Sequence, residues 1–116
     1  MFYLPQHKAM MQAEIINHTF HNLYTLRGAK VRNGLLWSKY IHDTILTYGD
    51  DVEISFGSHH WPTWGNEEIV EFWKGQRDTY RYVHDETLRL ANHGMTMLEV
   101  AEEIRLPDSL GQNFAN

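Results

Sequence analysis

The sequence of 116 residues contains no cysteine, which excludes a disulfide scaffold, a cysteine zinc finger and a thiol nucleophile. Basic residues are also scarce, since ten Lys and Arg face fifteen Asp and Glu for a formal net charge of −5. Binding to nucleic acid without sequence preference needs a basic surface, so that class of function is disfavoured. No apolar run approaches the roughly 20 residues that cross a bilayer, and no signal-peptide pattern begins the chain. We therefore expect no membrane span, and the compartment stays unknown.

The chain is rich in aromatic side chains and in histidine, with four Trp, five Phe, six Tyr and eight His. A chain of this length buries roughly 65% of its unfolded surface on folding, and the aromatic residues supply material for a core. A neutral imidazole is a common metal ligand and a titratable catalytic group. The composition therefore indicates a globular domain with candidate metal chemistry.

Hydrophobic periodicity predicts several elements in the first half of the chain. Residues 1–12 show no clear period, and we expect a short helix from about Gln6. The polar residues 13–32 predict a loop, a kind of segment that often carries sites. Asn33 is a good N-cap, and apolar residues at helical spacing predict a helix that Gly49 ends. Alternation over 52–56 then predicts a strand with one buried face.

The second half of the chain is predicted to be helical after a loop at residues 57–65. Asn66 can cap a helix that lasts to residue 92 or 93, which is about 40 Å at 1.5 Å per residue. The expected radius of gyration is only about 13 Å, so we expect this helix to overhang its own domain and to need another surface. Thr96 and Glu99 form a capping box for a further helix that ends near Arg105, and the last residues resemble a frayed or truncated end.

Histidines at the end of the predicted strand are the first candidate site. His59 and His60 enter a loop bounded by glycines, where an imidazole can point into a cleft and bind a metal. Adjacent residues rarely bind one ion, and the pattern does not choose between them. Glu14, with His18 and His21 behind it, follows no standard zinc spacing, and packing is the favoured interpretation of that cluster.

A basic turn is the second candidate site. Arg27, Lys30 and Arg32 crowd around Gly28 in an otherwise acidic chain. Arginine offers planar, bidentate recognition of sulfate, phosphate or carboxylate, and Asn22 and Thr25 can add neutral donors. A solvated basic loop is an equally good interpretation.

The long second helix carries an apolar stripe of Ile69, Trp73, Tyr80 and Val83, which favours a packing or dimerisation surface. Together with the capped helix after it, it also resembles the first half of a helix-turn-helix unit. Residues 107–116 carry no Lys or Arg, so a DNA-recognition helix there is disfavoured.

Several strings in the chain resemble the alkyl sulfatases, binuclear-zinc hydrolases of the metallo-β-lactamase superfamily that cleave sulfate esters of long-chain alcohols. The resemblance covers nearly the whole chain, and its most specific parts are NLYTLRGAKVR (22–32) and SHHWPTWG (58–65). It implies an α/β (α+β) fold in which residues 1–65 form the edge of an αββα catalytic sandwich. Residues 66–116 would begin a helical dimerisation domain, so the segment is expected to be mostly helical and homodimeric.

The resemblance also implies roles for individual residues. Glu14 matches an acidic ligand of the zinc pair, and His59, rather than His60, matches the last zinc-ligand histidine. The residues that match the sulfate-binding part of the site are Asn22, Leu23, Tyr24, Thr25, Leu26, Arg27 and Arg32.

Two departures from the family pattern limit these implications. The HxHxDH zinc motif is absent, as is the second acidic ligand that should precede Glu14. We therefore expect an internal segment of a longer enzyme, with weak zinc affinity and negligible sulfatase activity on its own, because zinc sites usually need three or four protein ligands. Family members can be exported. The alternative function is a non-catalytic helical dimerisation module.

Overall fold

A small sheet and four helices make up the computed structural model, which describes residues 1–114 and is about 49% helical. The predicted α+β class is therefore confirmed. The strands are β1 (Phe2–Leu4), β2 (Ala9–Met11), β3 (Ile54–Phe56) and β4 (Thr63–Trp64), which form one sheet in the order β1-β2-β3-β4. The helices are α1 (Gly34–Tyr48), α2 (Asn66–Asn92), α3 (Met97–Glu103) and α4 (Asp108–Gly111). None of these helices is both long enough and apolar enough to cross a membrane.

The N-terminal segment is a hairpin. The prediction of a short helix from about Gln6 is therefore wrong, apart from a single 3₁₀ turn. Residues 5–7 form a single 3₁₀ turn, after which Lys8 adopts a left-handed φ of 46° and returns the chain as β2. Strand β2 pairs antiparallel with β1 and parallel with β3, so Met10 lies opposite Ser55. Pairing with a strand 45 residues away overrides local preference here, because it buries Met10 to 1% exposure.

Helix α1 begins where the sequence predicts, because the Asn33 side chain accepts a hydrogen bond from the Leu36 N–H at 3.0 Å. It packs lengthwise against α2. The core between the helices and the sheet contains Met10, Ile16, Ile41, Val52, Ile69, Trp73 and Tyr80. The strand predicted at 52–56 is confirmed over Ile54–Phe56, but Ser55 is the buried residue of that strand, because its hydroxyl accepts a hydrogen bond from the Trp73 indole.

The apolar stripe of α2 is covered inside this chain. Ile69, Trp73 and Tyr80 are at most 1% exposed, so they do not form the free surface on which the expected dimer was based. The far end of α2 is covered as well, since Leu90 is buried and α3 packs against this helix. The helix thus finds its covering surface within its own chain. The homodimer and the division between domains near Gly65 stay predictions.

The end of the described chain is more ordered than the sequence predicts. The capping box of Thr96 and Glu99 is present, and α3 ends at Glu103, two residues before the predicted end. Residues 108–111 form a further helical turn in place of the expected frayed end. The last two residues of that prediction lie outside the described part of the chain.

Candidate metal and anion site

The loop at residues 13–32 is anchored by the two long helices. The Trp37 indole of α1 donates to the Ile15 carbonyl at 2.7 Å, and the His21 N–H donates to the Tyr80 hydroxyl of α2 at 3.2 Å. At the far end of the loop, the Arg32 N–H donates a hydrogen bond to the Leu23 carbonyl at 2.8 Å. The predicted loop is thus present, and its shape is set by contacts from outside it.

Glu14 and His59 lie side by side because each follows a neighbouring parallel strand by the same number of residues. Met11 of β2 pairs with Phe56 of β3. Glu14 and His59 each lie three residues after these positions, and the Glu14 Oε1 is 2.9 Å from the His59 Nε2. The backbone pairing continues between them, since the Ser58 N–H donates to the Ala13 carbonyl at 3.1 Å. Parallel strands therefore carry the two predicted zinc ligands to one point.

Gly57 makes this close approach possible. A Cβ at this position would lie 2.7 Å from the Ala13 carbonyl oxygen, a separation that side chains essentially never show. The glycine lets the two segments that follow β2 and β3 come together.

The Glu14 carboxylate is paired on both oxygens. His59 approaches Oε1, and the His21 Nε2 lies 3.5 Å from Oε2. The hydrogen bond from His59 lowers the pKa of the Glu14 carboxyl, and the one from His21 lowers it further against the opposing effect of desolvation. His21 is itself oriented, because its Nδ1 lies 3.0 Å from the Asn22 carbonyl oxygen. The carboxylate is thus held in its charged, ligand-competent form.

The donor chemistry of Glu14 and His59 suits zinc, but the described residues do not make a complete zinc site. Carboxylate oxygen and imidazole nitrogen are both zinc ligands, yet structural and catalytic sites use three or four protein ligands. Within residues 1–114 no three His, Asp or Glu side chains are arranged to hold one metal ion. His60 points elsewhere, with its Nε2 3.0 Å from the Thr19 hydroxyl. Over the described part of the chain, the arrangement therefore offers Glu14 and His59 as a pair of candidate ligands.

A polar cleft of about 440 Å³ opens beside Glu14. Its lining residues are Glu14, Thr19, Phe20, His21, Asn22, Thr25, Arg27 and Arg32. The Arg32 Nη1 donates to the Thr25 hydroxyl at 2.6 Å and to the Asn22 Oδ1 at 3.1 Å. These bonds hold a guanidinium at the wall of the cleft, where an anion would be recognised.

The other residues predicted to bind sulfate lie differently. Leu23 packs against the core, whereas the Tyr24 and Leu26 side chains are 59% and 88% exposed. The cleft thus brings together Asn22, Thr25, Arg27 and Arg32, and the side chains of the remaining three do not line it.

Trp37 and Tyr80 position the loop of the candidate site, and sequence reasoning missed this role. Their rings stack at 4.7 Å, and the His21 ring lies 5.5 Å from that of Trp37. Burial raises the pKa of Tyr80 to about 12, so its hydroxyl stays protonated near neutral pH. No local signal points to these contacts, since His21 and Tyr80 are separated by 59 residues and the sequence marks Tyr80 only as part of an apolar stripe.

His18 lies in an aromatic sandwich that predicts a pH dependence of stability. Its ring stacks on Trp61 at 4.4 Å and on Phe72 at 4.5 Å, and burial lowers its pKa. The folded state therefore binds fewer protons than the unfolded state, for which an ordinary histidine pKa of about 6.5 applies. We expect stability to be constant above pH 7 and to decrease as the pH falls through 6.5 toward the lowered pKa.

Urea unfolding between pH 5 and pH 8 measures this effect. In the variant His18→Phe the free energy of unfolding should decrease less at low pH than in the wild type. In His7→Phe, at an exposed position, it should decrease as much as in the wild type. Equal pH profiles for the wild type and the His18→Phe variant would show that the sandwich does not exclude the charged imidazole.

No protein-family profile matches the chain, but comparison with known proteins finds several that are similar to it. A linear primary-alkylsulfatase from a Pseudomonas species is 50% identical over all 116 residues, which cover 17% of that protein. An alkyl/aryl-sulfatase of Saccharomyces cerevisiae is 44% identical over 115 residues, which are 99% of this chain and 18% of that protein.

The fold agrees with the sequence comparison. The solved structure of a stereoselective inverting sec-alkylsulfatase from a Pseudomonas species superposes with a TM-score of 0.90 and 38% identity. The superposition covers 93% of this chain and 17% of that one. The chain therefore spans less than a fifth of the length of these relatives, and over that span it is similar to alkylsulfatases in sequence and in fold.

Proposed function

We propose that this chain contributes zinc ligands and the sulfate-binding turn to an enzyme that hydrolyses sulfate esters of long-chain alcohols. The observation that carries the proposal is the 2.9 Å contact between the Glu14 carboxylate and the His59 imidazole, which are 45 residues apart. A polar cleft with two arginines lies directly beside it. Similarity to alkylsulfatases supports the same conclusion.

In this proposal each residue has a defined task. Glu14 and His59 bind zinc, and ligands from outside this chain complete the site. Zinc, when bound, lowers the pKa of a coordinated water toward neutrality. Arg27 and Arg32 neutralise the sulfate oxygens and stabilise the charge that develops on them as the ester bond breaks. His21 holds the Glu14 carboxylate from the opposite side.

Calorimetric titration of the 116-residue protein with Zn²⁺ tests the metal half of the proposal. We expect weak binding, because only two ligands are present, and a further decrease of at least tenfold in Glu14→Gln and in His59→Asn. The variant His60→Asn is the matched control, since its imidazole is adjacent in sequence but does not contact Glu14. Equal zinc affinity in all three variants and the wild type would contradict the assignment.

The same protein should not hydrolyse dodecyl sulfate, with or without added zinc, because the metal site is incomplete. Turnover that depends on zinc would show that the described residues suffice for catalysis.

A further inference from the structure

Gln76 is a fully buried amide on α2 that other residues of the chain do not satisfy. Its side chain is 0% exposed, and neither Nε2 nor Oε1 has a hydrogen-bond partner in the described part of the chain. Buried polar groups are nearly always paired, because an unpaired group loses its bonds to water and gains nothing in return. The amide therefore indicates a ligand that bonds to it.

A second unpartnered polar atom belongs to Asn17, in the loop at residues 13–32. Asn17 is 5% exposed, and its Oδ1 also has no hydrogen-bond partner among residues 1–114. Its Nδ2, in contrast, donates to the Glu14 carbonyl at 3.2 Å. The orphaned oxygen is thus part of the same side chain that holds the backbone of a candidate zinc ligand.

The loop runs along the strip of α2 that carries Gln76. The His18 ring stacks on Phe72 at 4.5 Å, and the Phe20 ring stacks on Tyr80 at 5.0 Å. Gln76 lies four residues after Phe72 and four before Tyr80, which is about one helical turn from each. Its amide therefore faces the stretch of loop between the two stacked pairs.

Water is the ligand that fits these groups. Asn17 immediately precedes the stretch of loop that Gln76 faces, and the unpartnered atoms of the two residues are one N–H donor group and two acceptor oxygens. Both amides are neutral, so the ligand must donate and accept hydrogen bonds but needs no charge. The complete burial of Gln76 leaves no surface that a partner protein could reach. Buried waters typically form about three hydrogen bonds with groups of this kind.

We propose that buried water bridges Gln76 and Asn17 and thereby fixes the loop segment that carries Glu14. The water accepts a hydrogen bond from the Gln76 Nε2 and donates one to the Asn17 Oδ1. Asn17 in turn holds the Glu14 carbonyl. Gln76 is thus a positioning residue. Its relevance to zinc binding rests on the proposed function, whereas the hydration site itself does not.

NMR spectroscopy of the 116-residue protein tests the hydration site directly. We expect nuclear Overhauser contacts between water and the side-chain NH₂ protons of Gln76, with the sign of a long-lived bound water. These contacts should be lost in Asn17→Leu, which removes one of the two side chains that hold the water. A spectrum without such contacts in the wild type would overturn the proposal.

Thermal unfolding gives a second test, because the two states of the amide predict shifts of opposite sign. Gln76→Met keeps a similar volume and removes both polar atoms. If water bridges the amide, the melting temperature should fall by roughly 4–8 °C, whereas the removal of an unpaired amide would raise it. Gln6→Met makes the same change at an exposed position and should leave it unchanged.

The double variant of Gln76→Met and Asn17→Leu tests whether the two side chains share the water. It should lose less stability than the sum of the two single losses, because both changes act on one bridge. Strictly additive losses would show that the two side chains do not bind the same water.

Amide hydrogen exchange tests the positioning role. The N–H groups of Ile15 and Ser58 donate to carbonyls just before Glu14, each at 3.1 Å. In Gln76→Met both should exchange about tenfold faster relative to the amides of α1, because the segment opens locally. Ile41→Val loses stability in the core without touching the bridge, so in that variant the exchange rates relative to α1 should not change.

The possible failures are distinguishable. Water contacts at Gln76 with unchanged exchange near Glu14 would overturn the positioning role alone. Zinc affinities that do not depend on Glu14 and His59 would overturn the proposed function, and the NMR and unfolding results would still decide the hydration site.

Discussion

Replacement of Trp73 by alanine is expected to lower the free energy of unfolding by about 3–5 kcal/mol, the usual cost of removing a large buried aromatic side chain. Trp73 is 0% exposed and lies in the first half of α2. Its indole N–H lies 3.1 Å from the Ser55 hydroxyl and 3.2 Å from the Gln12 Oε1, both of which are buried. The residue therefore joins the helix layer to the sheet. Domains of this size have only about 5–15 kcal/mol of stability, so this loss is a large fraction of the total.

Urea denaturation provides the measurement, and two variants separate the causes. Trp73→Phe keeps most of the apolar volume but removes the donor, for an expected loss of about 1–3 kcal/mol. Trp64→Ala, at a position 62% exposed on β4, should cost less than about 1 kcal/mol. Equal losses at positions 73 and 64 would contradict the role given to the buried indole.

Replacement of Arg32 by methionine is expected to weaken the binding of inorganic sulfate by roughly 10- to 100-fold. A hydrogen bond that involves a charged group contributes about 1.5–3 kcal/mol, and Arg32 also organises the turn through Thr25 and Asn22. Methionine keeps much of the apolar stem of the arginine side chain, so its packing against neighbouring apolar side chains is largely preserved.

Titration calorimetry with sodium sulfate measures this effect at low ionic strength. Arg32→Lys should recover part of the affinity, because it restores the charge without the planar fork. Arg105→Met, which also removes one exposed positive charge but far from the cleft in sequence, is the control for a general electrostatic effect. An unchanged affinity in Arg32→Met would show that the cleft does not bind anions through this side chain.

Elements with strong local signals could be predicted from the sequence. Helix α1 begins at the Asn33 cap, and α3 begins at the Thr96 capping box, because the hydrogen bonds that start each helix come from residues within one turn. Strand β2 could not be predicted in this way. One of its two pairing partners, β3, is 45 residues away, and no short window of sequence contains that information.

The geometry of the candidate site could be predicted only in part, and the roles of its residues stay predictions. Resemblance to a family singled out Glu14 and His59, whereas spacing alone left His59 and His60 as equal candidates. Only His59 contacts Glu14, and this contact follows from the register of β2 and β3. Strand β2 was not predicted, because a helix was expected near Gln6. The roles of Trp37 and Tyr80 were also missed because they depend on contacts between distant parts of the sequence. The two side chains form hydrogen bonds with backbone atoms of residues 22 and 59 positions away.

The constant offset of 45 residues along β2 and β3 has a consequence for how this region tolerates insertions and deletions. Lys8 with Glu53, Met10 with Ser55 and Glu14 with His59 all obey it. A residue inserted in the connection between residues 23 and 31 leaves both strands and their ends intact, so the carboxylate and the imidazole still meet. A single deletion between Met11 and Glu14 instead shifts the carboxylate by one position along the chain, away from the imidazole of His59. Insertions and deletions within three residues of either strand should therefore disrupt the contact between Glu14 and His59, even though both side chains are still present.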